Sequence, residues 1–484
     1  MSNLSQTLLG RFPGLESDVP PAEDDLEIES PEEGVDDTGA QIDGENIVEG
    51  DLVEAADDAA EIEDADEEAE ELEDTSDSLE SFLVAAQYGK SKGGWTEGEA
   101  IAYGIGLDAT LKRMGVNSSI ILPSLESFND QRERIESTAA VENKIKDALV
   151  AIWDAIKRAV NKVVAFVRKW YVKIADGASR LRKRAEAIRK KAENTSGSAT
   201  EKKLATATLA QLHISKSMPN AKTIAEGIKN AGVLVGNLTS SSLDQKYGKT
   251  LDGLVEIITK LAEKGGKGEI SSAIDKVEKL KSAKIFEMDL GIEFKNATEA
   301  DSKSHSPQGI DGLSTTFKTT AVFPGDRRVG MFEFELDDQK EKRALGRTFA
   351  AAMRVVSKVT VFEASNKKVE IDNTKEVAVL TPNEVVHICN EVIDFCKVVV
   401  DYKLGFETYD KKNAAALGKL DSIVRKSGNT DEDREAGEYV RGLAQGFGSI
   451  IRNRGTSITN AINLGMGISR NALVYSVQSL ALYK

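Results

Sequence analysis

This sequence of 484 residues predicts a mainly α-helical protein with a small α+β insert, its hairpins near residues 314–371, and a disordered acidic N-terminal region. Three observations lead there. From Ile145 to Ile174 apolar side chains recur at steps of three and four, the spacing of one helix face. Residues 314–336 switch to a period of two around Pro324-Gly325-Asp326, a hairpin signal. Residues 1–80 hold 30 acidic side chains against one basic one, Arg11. That composition repels itself and offers little apolar surface to bury.

Taken in chain order, residues 1–80 are expected to be a disordered acidic leader, with 16–77 extended. Residues 81–126 form a small helical unit, two short helices around Gly93-Gly94. Residues 127–300 form a basic helical region. Its main helix carries Ile145, Leu149, Ile152, Ile156, Val160, Val163, Val167, Trp170 and Ile174 on one stripe, and Gly177 is expected to interrupt it. Further helices are expected at 201–212, 220–232, 251–264 and 271–283, with a glycine-rich turn at 264–268. Residues 301–375 are the α+β insert: a hairpin over 314–336, a helix at 340–356, then strands in "KVTVFEA" and "KKVEID". Residues 376–484 are a C-terminal helical region. It opens at Thr381-Pro382-Asn383-Glu384, with an N-cap hydroxyl, Pro in the first turn and Glu at the third position. Helices at about 408–426, 431–452 and 456–482 follow.

The formal net charge of −17 hides a strong polarity along the chain. Residues 81–126 balance four acidic against four basic side chains, and 127–484 hold 46 acidic and 58 basic, a net of +12. The chain is an acidic leader joined to a basic body. No signal peptide is legible in "MSNLSQTLLGRFPG", and no run of about 18 apolar residues exists to span a membrane.

Catalytic and metal signals are weak. The three histidines, His213, His305 and His387, have no nucleophile motif beside them, so no enzyme activity is expected. Cys389 and Cys396 lie two helical turns apart, too far to bond to each other, and with His387 and Glu391 they match no zinc spacing. No metal and no cofactor is expected. Gly104-x-Gly106-x-x-Ala109 resembles a dinucleotide fingerprint but lacks the preceding strand, and is read as chance.

The basic helix leaves three readings open. Between Lys144 and Lys191 there are 15 Lys and Arg against four Asp and Glu. Its candidate contact residues for DNA or a partner are Lys157, Arg158, Lys162, Arg168, Lys169 and Lys173 in the first half. In the second half they are Arg180, Arg182, Lys183, Arg184, Arg189, Lys190 and Lys191. Such a face is a solvated side of a core helix, a sequence-independent DNA surface, or, beside Trp153 and Trp170, an anionic lipid surface.

The pentapeptide Ser-Leu-Glu-Ser-Phe occurs twice, at 78–82 and 124–128, and Leu/Ile-Glu-Ser occurs five times, all within the first 137 residues. Helix capping and acidic bias account for part of this. A protease that recognises small-x-Glu in a flexible segment accounts for more. It would accept Ser124-Leu125-Glu126, Ser78-Leu79-Glu80 and Gly14-Leu15-Glu16, cutting at Glu126/Ser127, Glu80/Ser81 and Glu16/Ser17.

With these sites, and with "ALVAIWDAIKRAVNKVVAFVRKWYVKI" after the last of them, the chain resembles the internal head (inner-body or prohead-core) proteins of large tailed bacteriophages. The resemblance implies an acidic propeptide removed by a prohead protease, with Glu126/Ser127 as the main scissile bond. It also implies a helical mature body inside the head, among capsid or core proteins, other copies of itself and non-specifically bound DNA. A membrane-active effector using the basic amphipathic helix is the alternative.

Overall fold

The computed structural model describes residues 47–113, 128, 130–206, 208–264, 289–298, 313–336, 350, 352–355, 358–364, 376–402 and 434–483. Its described elements are mostly helical. In order they are α1 (Ile47–Ser91), α2 (Glu97–Arg113), α3 (Gln131–Glu193), β1 (Lys203–Ala205) and the short α4 (Leu209–Leu212). Then come α5 (Ala221–Leu238), α6 (Ser241–Lys264), β2 (Lys295–Asn296), β3 (Leu313–Thr319), β4 (Arg327–Leu336), β5 (Thr360–Glu363) and β6 (Glu376–Ala378). The chain ends in α7 (Pro382–Asp401) and α8 (Arg434–Leu480).

The central element is α3, 63 residues and so about 95 Å long. Every member of its expected stripe, from Ile145 to Ile174, is buried. Asp130 caps its start by accepting from the backbone N–H of Arg132. The helix does not break at Gly177, which is buried beside the fully buried Ala178. Here close packing against neighbours outweighs the roughly 1 kcal/mol that glycine costs a helix interior.

Among the described residues, α1, α7 and α8 pack along α3. Helix α1 runs antiparallel to it: Glu68 meets Lys162 and Lys90 meets Glu142. Helix α7 is also antiparallel, with the Tyr171 hydroxyl donating to the carbonyl of Val399 and Arg189 donating to Asn390. Helix α8 runs parallel, its Gly448 facing Val160 and its Gly455 facing Val167. A Cβ at these two glycines would lie 3.3 and 3.1 Å from the valine methyls, so glycine lets the two backbones approach. Helix α8 is continuous through Gly455, where the sequence predicts two helices, one on either side of it.

Two other expectations change. The segment 201–212 is strand β1 and the short α4 rather than a helix; β1 pairs antiparallel with β6. The acidic segment 47–80 is helix α1, which runs through the boundary expected at residue 80. Residues 1–46, the expected helices at 271–283 and 408–426, and the "KKVEID" strand lie outside the described residues.

The insert expected at 301–375 supplies β3, β4 and β5 of a four-stranded antiparallel sheet of order β2-β3-β4-β5, whose edge strand β2 lies just before it. Its β3–β4 hairpin turns at Gly325 (φ 89°) and Asp326 (φ 53°), the left-handed backbone that the Pro-Gly-Asp signal implies. Thr381 and Glu384 form the expected capping box on α7. Cys389 and Cys396 are free and buried, and burial pushes both thiols up to about 12, so they act as small apolar side chains. Gly106 sits inside α2 against the Phe82 ring, which excludes a phosphate loop there.

Candidate functional site

The densest chemistry among the described residues is a buried seam between acidic α1 and the cations of the body. Helix α1 holds 17 acidic residues, and along Ile62, Ala65, Ala69, Leu72, Leu79, Leu83 and Ala86 it also holds a buried apolar rail at steps of three and four. The one missing step falls on Ser76, which accepts a hydrogen bond from Gln445 of α8 at 2.7 Å.

Beside the rail, Asp66, Glu73 and Glu80 recur every seven residues and face α8. Arg452 has no exposed surface and binds Asp66 at 2.5 Å and Glu73 at 2.8 Å. Arg441 binds Glu80 at 2.8 Å, and Ser449 donates to Glu73. The stretches 352–355 and 358–364 deliver one further cation each. Arg354 reaches Glu73, Asp74 and Asp77, and Lys358 reaches Asp66 and Glu70, both at 2.9 Å. Asn453 pins the first of these stretches to α8 by donating to the carbonyls of Met353 and Arg354.

Burial alone would raise the Asp66 carboxyl, but Arg452 and Lys358 outweigh it and hold the group below its ordinary range. For Arg354, Lys358 and Arg452 burial works against the charged form, and the facing carboxylates overcome it, raising all three. At the far end of α1, Glu142 of α3 accepts from Gln87 and Lys90 and pairs with Lys146. Burial would raise Glu142 too, but Lys146 and Lys90 hold it down. The corner between α1 and α2 is also seated: the backbone N–H of Trp95 donates to the Thr138 hydroxyl, and Gly94 lies against the backbone of Arg134.

The expected sites fall unevenly on this frame. Glu80 is 2% exposed, inside a helix and paired with Arg441. Ser81 donates back to the carbonyl of Asp77, so the 80–81 bond is not the extended segment that the cleavage motif supposed. Glu126, Ser127, Glu16 and Ser17 lie outside the described residues. Both phenylalanines of the repeated pentapeptide are packed, Phe128 fully and Phe82 on Gly106.

Of the basic residues, Arg168, Lys169, Arg180, Arg182, Lys183, Lys190 and Lys191 are exposed, and Lys157, Arg158, Lys162, Lys173, Arg184 and Arg189 are half-buried. Lys162 joins the α1 seam, and Arg182 and Arg189 form ion pairs one turn along α3. Trp153 and Trp170 are buried, so lipid insertion of the apolar stripe would have to displace helices packed on it. Among the described residues no helix is long and apolar enough to cross a membrane.

Sequence reasoning missed Arg354, Lys358, Arg441 and Arg452. The signal that marks the last is Arg452-Asn453-Arg454 in a stretch of α8, residues 442–469, that carries no other charge. Arg454 turns the other way, pairing with Asp244 of α6 and lying 4.5 Å over the Tyr247 ring.

No curated protein and no solved structure matches the chain. A family model described as phiKZ-like phage internal head proteins matches residues 22–464.

Proposed function

The chain belongs to the phiKZ-like phage internal head proteins and lies inside the phage head, and from that premise we propose that it is made as a precursor whose acidic N-terminal region is released after proteolysis. A prohead protease cuts at Glu126/Ser127, and the body from Ser127 onward, net +12, packs with DNA. It acts there as a structural component and protease substrate, not as an enzyme, beside capsid or core proteins and other copies of itself.

The observation that carries this reading is the seam. In the uncut chain the acidic helix covers Arg354, Lys358, Arg441 and Arg452. An acidic leader so placed keeps a cationic body soluble and away from nucleic acid during assembly. Without it the body carries a positive surplus, and each phosphate it neutralises releases a counterion.

N-terminal sequencing of the protein from mature heads tests the processing step: Ser127 is the expected first residue, and an intact Met1 or Ser2 start overturns it. Gel retardation of DNA by that mature protein, falling steeply with salt, tests the packing step.

A further inference from the structure

We infer that the body carries a receptor groove for an acidic amphipathic helix, and that α1 with α2 stays seated in it as a separate chain when the polypeptide is cut between α2 and α3. This rests on the reading that such a cut is made, and it changes what the cut accomplishes.

Three groups of contacts lead the seating of α1, beside the Glu68–Lys162 pair and the Ser76–Gln445 hydrogen bond. The apolar rail from Ile62 to Ala86 is buried. The carboxylates Asp66, Glu73 and Glu80 meet Arg452 and Arg441, with Arg354 and Lys358 closing over them. At the other end, Gln87 and Lys90 meet Glu142, and Trp95 meets Thr138. None of these contacts uses a residue between Arg113 and Phe128. A cut there leaves every one of these contacts in place.

The groove is selective in two ways. Its apolar floor calls for a helix with a three-four rail, and its cationic wall calls for carboxylates spaced by seven beside that rail. Helix α1 meets both demands. A bare polyanion meets only the second, so it competes for the arginines but not for the floor. Scission therefore does not by itself reverse the charge of the protein. It turns a covalent segment into a displaceable one, which acid or a competing polyanion then loosens.

The test is made on the full-length protein with a recognition sequence for a site-specific protease inserted between Arg113 and Phe128. After complete cutting, gel filtration is run at neutral pH and about 0.1 M salt, where exposed charges more than about 10 Å apart are screened. The expected result is one peak holding both fragments in equal amounts. Elution of the N-terminal fragment alone, from a body that keeps its helical circular dichroism, overturns the inference.

Leu72→Asp in the same cut protein is expected to release the fragment, and retention as firm as in the parent would also overturn the inference. Should Leu72→Asp not fold before cutting, Glu73→Gln with Glu80→Gln replaces it, with release expected at least tenfold faster and an unchanged rate counting against the groove. Because the cut is engineered, release of the fragment would leave natural processing standing, and a failure of natural processing would leave this result intact.

Discussion

Two regions of this molecule use the same ion pairs in opposite ways. In the seam, Arg452 and Glu73 are both fully buried and locked together. On the last third of α3, Arg182 pairs with Glu186 with each side chain more than 40% exposed. In water the second kind of pair contributes about 0–1 kcal/mol and is weakened by salt. At the Arg452–Glu73 pair, which has no exposed surface, each charge depends on its partner, because a single charge left there is costly. The difference shows that charge count alone does not locate function: burial decides whether an arginine belongs to the fold or to the solution.

The sharpest way to break the comparison is Arg452→Met. It leaves Asp66 and Glu73 buried and short of their partner, and a loss of about 3–5 kcal/mol in urea unfolding is expected. Adding Asp66→Asn and Glu73→Gln to the same protein should recover a large part of that loss. A seam made of exposed-type pairs would show neither effect.

Next in size is Leu72→Ala on the apolar rail, expected to cost about 2–5 kcal/mol by the same measurement. An effect below about 0.5 kcal/mol would mean that α1 is not held by its rail.

Acid comes third. Asp66 and Glu142 are held below their ordinary range, so their share of stability is present above about pH 4, where the unfolded carboxyls are already charged. It is lost as pH falls through their lower folded values. Thermal unfolding from pH 6 to pH 2 should show this loss, and Glu142→Gln should make it shallower.

The capping box on α7 is a smaller, local feature, and Thr381→Ala is expected to cost about 1 kcal/mol. Smallest for stability is Lys183→Gln with Lys190→Gln on the exposed basic face, expected within about 0.5 kcal/mol of the parent. Those two changes instead sharpen the functional half of the comparison. If that face meets DNA, the salt slope of binding should fall by about one per lysine removed.

The stripe of α3 was legible because isoleucine, valine and tryptophan at steps of three and four stand out against lysine and arginine. The hairpin and the capping box were legible because their signals are local: Pro-Gly-Asp sets a turn, and Thr381 and Glu384 are three residues apart. Helix α1 was not legible in the same way. Its rail is carried largely by alanine, with Ser76 standing at one step, and the carboxylates between them suggest repulsion. What relieves that repulsion is Arg354, Lys358, Arg441 and Arg452, each more than 270 residues away in the chain. The glycines of α8 misled for a related reason: Gly455 looks like a break until Val167 is placed against it.

By itself the sequence determined the helical class, the long amphipathic α3 and the charge polarity between leader and body. These follow from spacing and composition within a single stretch of chain. Only the tertiary structure decided that much of the acidic stretch is a helix, that it lies antiparallel on α3, and that Asp66, Glu73 and Glu80 are buried against cations of the body. A buried ion pair needs both partners at one place, and no periodicity in either segment records where the other will fold.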